Sequence, residues 1–168
     1  MKSSIIIAAT LAASISSSAF ANSIIVDSKV PYAEDADVRS AVREECELEQ
    51  KFARFIQEYA KDKGFTVVKS TDKEKAKGVS KRLFVEIDEV RGGGGGAWSG
   101  GKMVHAVGKL TENGKVIGTF KVQRTSGGGA FGAFKGTCSI LGRDVKAMGK
   151  DIAKWLKKPK MKSYLGEL

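Results

Sequence analysis

From Asn22 onward the apolar residues recur with two different periods, and the switches between them divide the chain into elements. Ser23-Ile24-Ile25-Val26-Asp27 predicts a short strand, and the polar stretch that follows through Pro31 and Asp37 reads as a loop. Val38, Val42, Leu48, Phe52, Phe55, Ile56 and Tyr59 then return at helical spacing. They predict one amphipathic helix that runs to about Lys63 and stops at Gly64. Phe65 to Lys69 predicts a second strand, and the lysine-rich stretch Lys73 to Lys81 a solvated link. Leu83, Val85 and Ile87 alternate with Phe84, Glu86 and Asp88, the period of a half-buried strand.

Met103 to Gln123 reads as a hairpin around Glu112-Asn113-Gly114, and the apolar pattern selects its register. A two-residue Asn-Gly turn would pair Leu110 with Ile117 and send Val116, Phe120 and Val122 to the opposite face. A three-residue loop with Gly114 left-handed beside a bulge instead pairs Leu110 with Val116, Gly108 with Gly118, Ala106 with Phe120 and Val104 with Val122, all on one core face. The facing glycines would leave a trough there, to be covered by Phe120 or a helix side chain. Leu141, Val145, Met148, Ile152, Trp155 and Leu156 predict a closing amphipathic helix, capped by Thr137 or Ser139 and ended by Pro159. The order β-α-β-β-β-β-α predicts an α+β fold, a small, mostly antiparallel sheet with two amphipathic helices on one face. Residues 22–158 would form a single domain and residues 159–168 a basic C-terminal tail.

Ahead of this domain, Lys2, the apolar run Ile5 to Ala13 and the small-residue ending Ala19-Phe20-Ala21 have the three parts of a signal peptide cleaved after residue 21. The run is shorter than the roughly 20 residues of a spanning helix. The expected compartment is the periplasm. No cysteine stands directly after the cleavage point, where Asn22 is found, so no lipid anchor is expected. In an exported chain the two cysteines, Cys46 and Cys138, are expected to form a disulfide that ties the two helix starts together.

Charge and glycine content sharpen the picture. The 29 lysines and arginines outnumber the 19 acidic residues, a formal +10 that becomes +9 without Lys2. Of the 20 glycines, 15 fall between Gly92 and Gly136. Gly96 to Lys102 fits the phosphate-loop pattern, but Met103 stands where Ser or Thr would hold magnesium, and a strand follows where a helix is needed. Gly127 to Gly132 fits a dinucleotide fingerprint, but that fold needs a further strand with an acidic end after the next helix, where this chain is expected to run out in a basic tail. No nucleotide is expected. The single histidine, His105, falls opposite the core face as a partly exposed surface residue, and one histidine with two oxidised cysteines supplies neither a metal site nor a catalytic pair. Glu86 and Asp88 read as salt-bridged surface carboxylates rather than an acid–base pair.

The glycine-rich segments contain Trp98, Phe131 and Phe134, and the predicted topology brings both segments to one end of the sheet as a recognition rim. Seven lysines from Lys146 to the end give that region a net +5, against a net −4 between Glu34 and Glu58. The simplest expectation is that the two helices carry complementary faces. Attraction to anionic lipid or polymer is the alternative, and nucleic acid is not expected, since no aromatic-basic platform is evident.

Arg91 with its glycine cluster, Gly100-Gly101-Lys102, the Asn113-Gly114-Lys115 hairpin, the second glycine cluster and the closing helix together resemble a family of small exported bacterial envelope proteins. These are mostly lipoproteins of unknown function, similar to the α/β domain of the curli secretion lipoprotein and the amino-terminal domain of the Tol-Pal propeller protein. The resemblance spans roughly Ile24 to Trp155, departs in the missing lipid-bearing cysteine, and implies a binding or assembly role without catalytic residues. The expected function is a non-enzymatic periplasmic adaptor that contacts an envelope protein through Trp98, Lys102, Phe131 and Phe134. The alternative is a basic module that binds anionic lipid or polysaccharide through Lys154, Lys157, Lys158, Lys160 and Lys162. Neither a metal nor another cofactor is expected.

Overall fold

The computed structural model describes residues 22–92, 101–126 and 136–167. Strand β1 (Ser23–Val26) lies between β3 (Thr66–Lys69) and β4 (Lys81–Arg91), parallel to both. Ile24 and Val26 are buried and Ile25 between them is half-buried, as an apolar run inside a parallel sheet should be.

The polar stretch expected to be a loop forms β2 (Tyr32–Val38) instead. It continues along the edge of β4 where β1 leaves off: β1 pairs with Lys81 to Leu83, β2 with Ile87 to Val90. Tyr32 faces Ile87 and Asp37 faces Glu89, so the intervening residues bulge from the sheet. Glu34, Asp35 and Asp37 hide this strand from a hydropathy reading, because the distant β4 supplies its partners.

Val38 therefore belongs to β2, and the single expected helix is two. Helix α1 (Ser40–Glu45) ends at Cys46, Glu47 turns left-handed at φ 49°, and α2 (Leu48–Asp62) begins. The expected stripe survives the break, with Val42, Leu48, Phe52 and Ile56 buried. Beyond β3, the short α3 (Lys73–Ala76) occupies the expected solvated link, capped by the Asp72 carboxylate accepting from Lys75 N–H.

Strands β4, β5 (Lys102–Glu112) and β6 (Lys115–Ser126) form an antiparallel meander. Its hairpin corrects the expected register. Asn113 and Gly114 are both left-handed, at φ 50° and 77°, which makes a two-residue turn. Glu112 faces Lys115 and Thr111 faces Val116; a bulge at Ile117 then sets Leu110 opposite Gly118, Gly108 opposite Phe120, Ala106 opposite Val122 and Val104 opposite Arg124. The bulge gives the hairpin its favoured turn and still keeps Gly118, Phe120 and Val122 on the core face, while Val116, expected in the core, is 45% exposed.

Gly108 and Gly118 do not face each other as expected; each leaves its own gap on the core face, and each gap is filled by a ring. The Phe120 ring lies over Gly108, where a Cβ would also come 2.8 Å from the Phe84 carbonyl oxygen. Trp155 covers Gly118, where a Cβ would lie 2.7 Å from its ring, and the two aromatic rings meet edge to face at 4.8 Å. Trp155 ends α4 (Thr137–Trp155), which packs against α2 over the sheet face carrying Ile24, Leu83, Ile87, Val104, Ala106 and Val122. Their crossing is close at Gly149, where a Cβ would sit 3.0 Å from the Phe55 backbone.

Residues after Lys158 are no tail. Pro159 packs on Gly118, and β7 (Ser163–Gly166) adds to β6 in parallel. The sheet order is β3-β1-β4-β5-β6-β7 with β2 also on β4, and four of its six pairings are parallel. The fold is thus a mixed α/β sheet, and the expected antiparallel character holds only in the β4–β5–β6 meander. The disulfide between Cys46 and Cys138 is present and joins the α1–α2 junction to the first turn of α4.

Candidate functional site

The helices cover one face of the meander; the other carries an open groove of about 580 Å³. The cross-strand register builds it from two rows. In the first, Phe84 faces Lys109 and Lys109 faces Thr119; in the second, Glu86 faces Val107, Val107 faces Lys121 and Lys121 faces Tyr164. Strand alternation puts all of these opposite the core set Val85, Gly108 and Phe120. The Arg82 guanidinium and the Lys109 ammonium both lie over the Phe84 ring, at 4.8 and 5.3 Å from its centroid.

Lys162 extends the first row, held there by backbone geometry. Thr119 N–H donates to the Lys160 carbonyl at 3.2 Å, and Lys162 N–H donates to Thr119 Oγ1 at 2.8 Å. Ser163 Oγ accepts from Trp155 Nε1 at 3.0 Å and donates to the Lys160 carbonyl at 3.1 Å. The link from α4 to β7 therefore crosses the sheet edge as a fixed turn. Lys109, Lys121, Lys162 and Tyr164 are exposed around the groove, and Glu86 is its one acidic lining residue.

Of the lysines singled out in the sequence, only Lys162 lines the groove; Lys154, Lys157, Lys158 and Lys160 are exposed on the helix end and the crossing turn. They do not meet the acidic region as expected. Among the described residues Glu47 pairs with Lys51 and Glu58 with Arg54, both within α2 and its cap. Phe84, Lys109, Lys121 and Tyr164 were not singled out, although Lys109 and Lys121 already stand at outward positions of the hairpin; the groove needs Tyr164, and hence β7, to become visible.

Lys102, expected on a recognition rim, is 3% exposed. It opens β5 with the parity of Val104 and Ala106, which turns it toward the core face. Trp98, Phe131 and Phe134 lie outside the described residues. The stems of both glycine-rich segments do converge as expected: Arg91 faces Met103, Lys102 faces Ser126, and a Cβ on Gly92 would lie 3.2 Å from Thr137.

At this end of the domain the nearly buried Asp144 accepts from Ser126 Oγ, while its Oδ2 has no partner among the described residues. Burial pushes its carboxyl up to about 6, against the weaker pull of Ser126 and Arg143. Two residues back along β6, on the same face, Arg124 donates to Asp151 Oδ2 at 2.6 Å and to Glu167 Oε1 at 3.1 Å, joining α4 to the end of β7. His105 is less exposed than expected: its side chain is 14% accessible and Nδ1 lies 2.6 Å from Asp88 Oδ1. A bulge between Ile87 and Glu89 takes Asp88 out of register, and Glu89 instead pairs with Arg91. Among the described residues no three His, Cys, Asp or Glu side chains group as a metal site, and no helix is long and apolar enough to cross a membrane.

No family model and no curated protein matches the sequence. Among solved structures the chain is similar to the PelC dodecamer from Paraburkholderia phytofirmans, with a TM-score of 0.50 and 15% identity over 77% of this chain and 86% of that one. A PelC L103M dodecamer from the same organism aligns at 16% identity, covering 77% and 85%, with a TM-score of 0.49. The likeness to the first is one of fold.

Proposed function

We propose that the chain is an exported, non-enzymatic binding module of the bacterial cell envelope whose ligand is anionic, a lipid or a polysaccharide. The observation that carries this reading is the groove, where Lys109, Lys121, Lys162 and Tyr164 surround an apolar floor of Phe84 and Val107 with Glu86 as the one acid. Such a surface matches a ligand that combines negative charge with apolar or ring faces. The Cys46–Cys138 disulfide supports an oxidising compartment.

The test is a titration of the oxidised protein with a soluble polyuronate and with phosphatidylglycerol vesicles, repeated on Lys109→Ala/Lys121→Ala. Binding to at least one anion, weakened tenfold or so by the double substitution and lost at about 1 M salt, is the expected result. Equal binding by wild type and variant would place the ligand elsewhere. An adaptor reading keeps one observation in its favour, the convergence of the glycine-rich stems at Arg91, Met103, Ser126 and Thr137. Its test is retention of an envelope protein at high salt by wild type and its loss with Trp98→Ala/Phe131→Ala.

A further inference from the structure

The large hydrophobic residues that stand exposed among the described residues are Val116, Met161 and Tyr164, at 45%, 55% and 69%. They are not scattered. Val116 and Tyr164 lie on β6 and β7, and Met161 lies on the turn that crosses between α4 and β7. Each is flanked by lysine: Val116 follows Lys115, Met161 stands between Lys160 and Lys162, and Tyr164 faces Lys121 across the strand pair.

With Lys109, Lys157 and Lys158 this corner presents seven exposed lysines, and none of them makes an ion pair among the described residues. The acids around it are engaged elsewhere, Glu112 with Lys81 at 3.6 Å and Glu167 with Arg124 at 3.1 Å, which leaves Glu86 at the far end of the groove. Hydrogen bonds from Thr119, Lys162 and Ser163 fix the backbone of the turn on which the exposed Met161 side chain stands.

We infer that the β6–β7 corner is a membrane-surface anchor, in which Met161, Tyr164 and Val116 enter the interface of an anionic bilayer while the surrounding lysines meet its headgroups. This rests on the anionic-ligand reading and commits it to lipid. A hydrated polysaccharide would pair with the lysines and stack on Tyr164, but it offers nothing to an aliphatic thioether at the apex of a turn; the acyl boundary of a bilayer does. Lysines with apolar tips between them are the chemistry of a protein that lies on a membrane without spanning it.

Co-sedimentation of the oxidised protein with vesicles of phosphatidylglycerol and phosphatidylethanolamine, and with phosphatidylcholine alone, tests it beside polyuronate binding. The anionic vesicles should bind and the zwitterionic ones should not. Near such a surface each lysine contributes roughly fivefold, so Lys158→Gln/Lys160→Gln should lower partitioning about 30-fold. Met161→Ser should lower it about tenfold and leave polyuronate binding untouched. Lys63→Gln/Lys69→Gln, the same change of charge near the β3 edge, should have no effect. If that control weakens vesicle binding as much as the corner variant, the protein binds by net charge and the anchor is refuted. Binding to polyuronate without vesicles overturns the inference and spares the wider reading; binding to neither overturns both.

Discussion

Asp144→Asn should remove a large part of the pH dependence of stability. The Asp144 side chain is 3% exposed and its Oδ2 lacks a partner among the described residues, so the carboxylate has lost its water and recovered one hydrogen bond, from Ser126. Its pKa rises from 3.8 to about 6 in consequence. A pKa raised on folding means that the folded state binds the proton more tightly. The stability this adds is complete below about pH 4 and is lost as pH rises through about 6. A shift of about two units corresponds to about 3 kcal/mol. Asparagine keeps the acceptor for Ser126 and cannot ionise. Any fixed packing difference between the two side chains is the same at every pH. The variant's advantage over wild type should therefore grow by about 3 kcal/mol between about pH 3.5 and 7.5 and then level off. Urea unfolding of the oxidised proteins at a series of pH values measures it, and in this size range the change corresponds to about 10 °C in Tm. A difference that stays constant with pH, or shrinks as pH rises, would refute the argument that burial governs this carboxyl.

Other parts of the fold give equally definite expectations. Reduction, or Cys46→Ala with Cys138→Ala, should lower unfolding free energy by about 4 kcal/mol, since the bridge closes a separation of 92 residues; urea midpoints with and without reductant read it. Gly118→Ala drives a methyl into Trp155 and Pro159 and should cost about 1–3 kcal/mol, whereas Gly114→Ala, with open space but φ 77°, should cost about 1 kcal/mol; thermal melts of the pair separate crowding from backbone strain. Arg124→Ala leaves Asp151 unpaired and removes the ion pair to Glu167, so amide exchange in Ser163–Gly166 should accelerate while exchange in β4 stays unchanged.

The readable parts of this fold were those whose information is local. Leu48, Phe52 and Ile56, like Leu141, Val145, Met148 and Ile152, announce their helices because one stripe satisfies one period. That Gly108 and Gly118 leave room on the core face for Phe120 and a helix side chain could be foreseen because they stand where bulky residues should alternate; that they do not face each other could not, since it depends on the bulge. Strand β2 was illegible because its acidic residues have no strand character of their own and acquire it from β4, some fifty residues on. The hairpin register failed for a subtler reason: turn preference and core pattern conflict by one residue, and a bulge at Ile117 satisfies both. Strand β7 hides behind a run of lysines, and with it went the groove, for Lys109 and Lys121 look like ordinary surface positions until Tyr164 stands beside them.

The disulfide also has a mechanical meaning. A chain pulled from its two ends would carry the load through the N-terminal segment to Cys46, across the sulfur atoms, and out through α4 and β7. The intervening 92-residue separation, able to extend by roughly 300 Å if fully stretched, is bypassed by the bond and bears no direct tension. Phe84, Lys109 and Lys121 sit inside that sheltered loop, and Met161, Lys162 and Tyr164 lie outside it on the loaded strand. Under force the strands on the load path, β1, β2 and β7, take the tension, while the meander enclosed by the bridge is spared it.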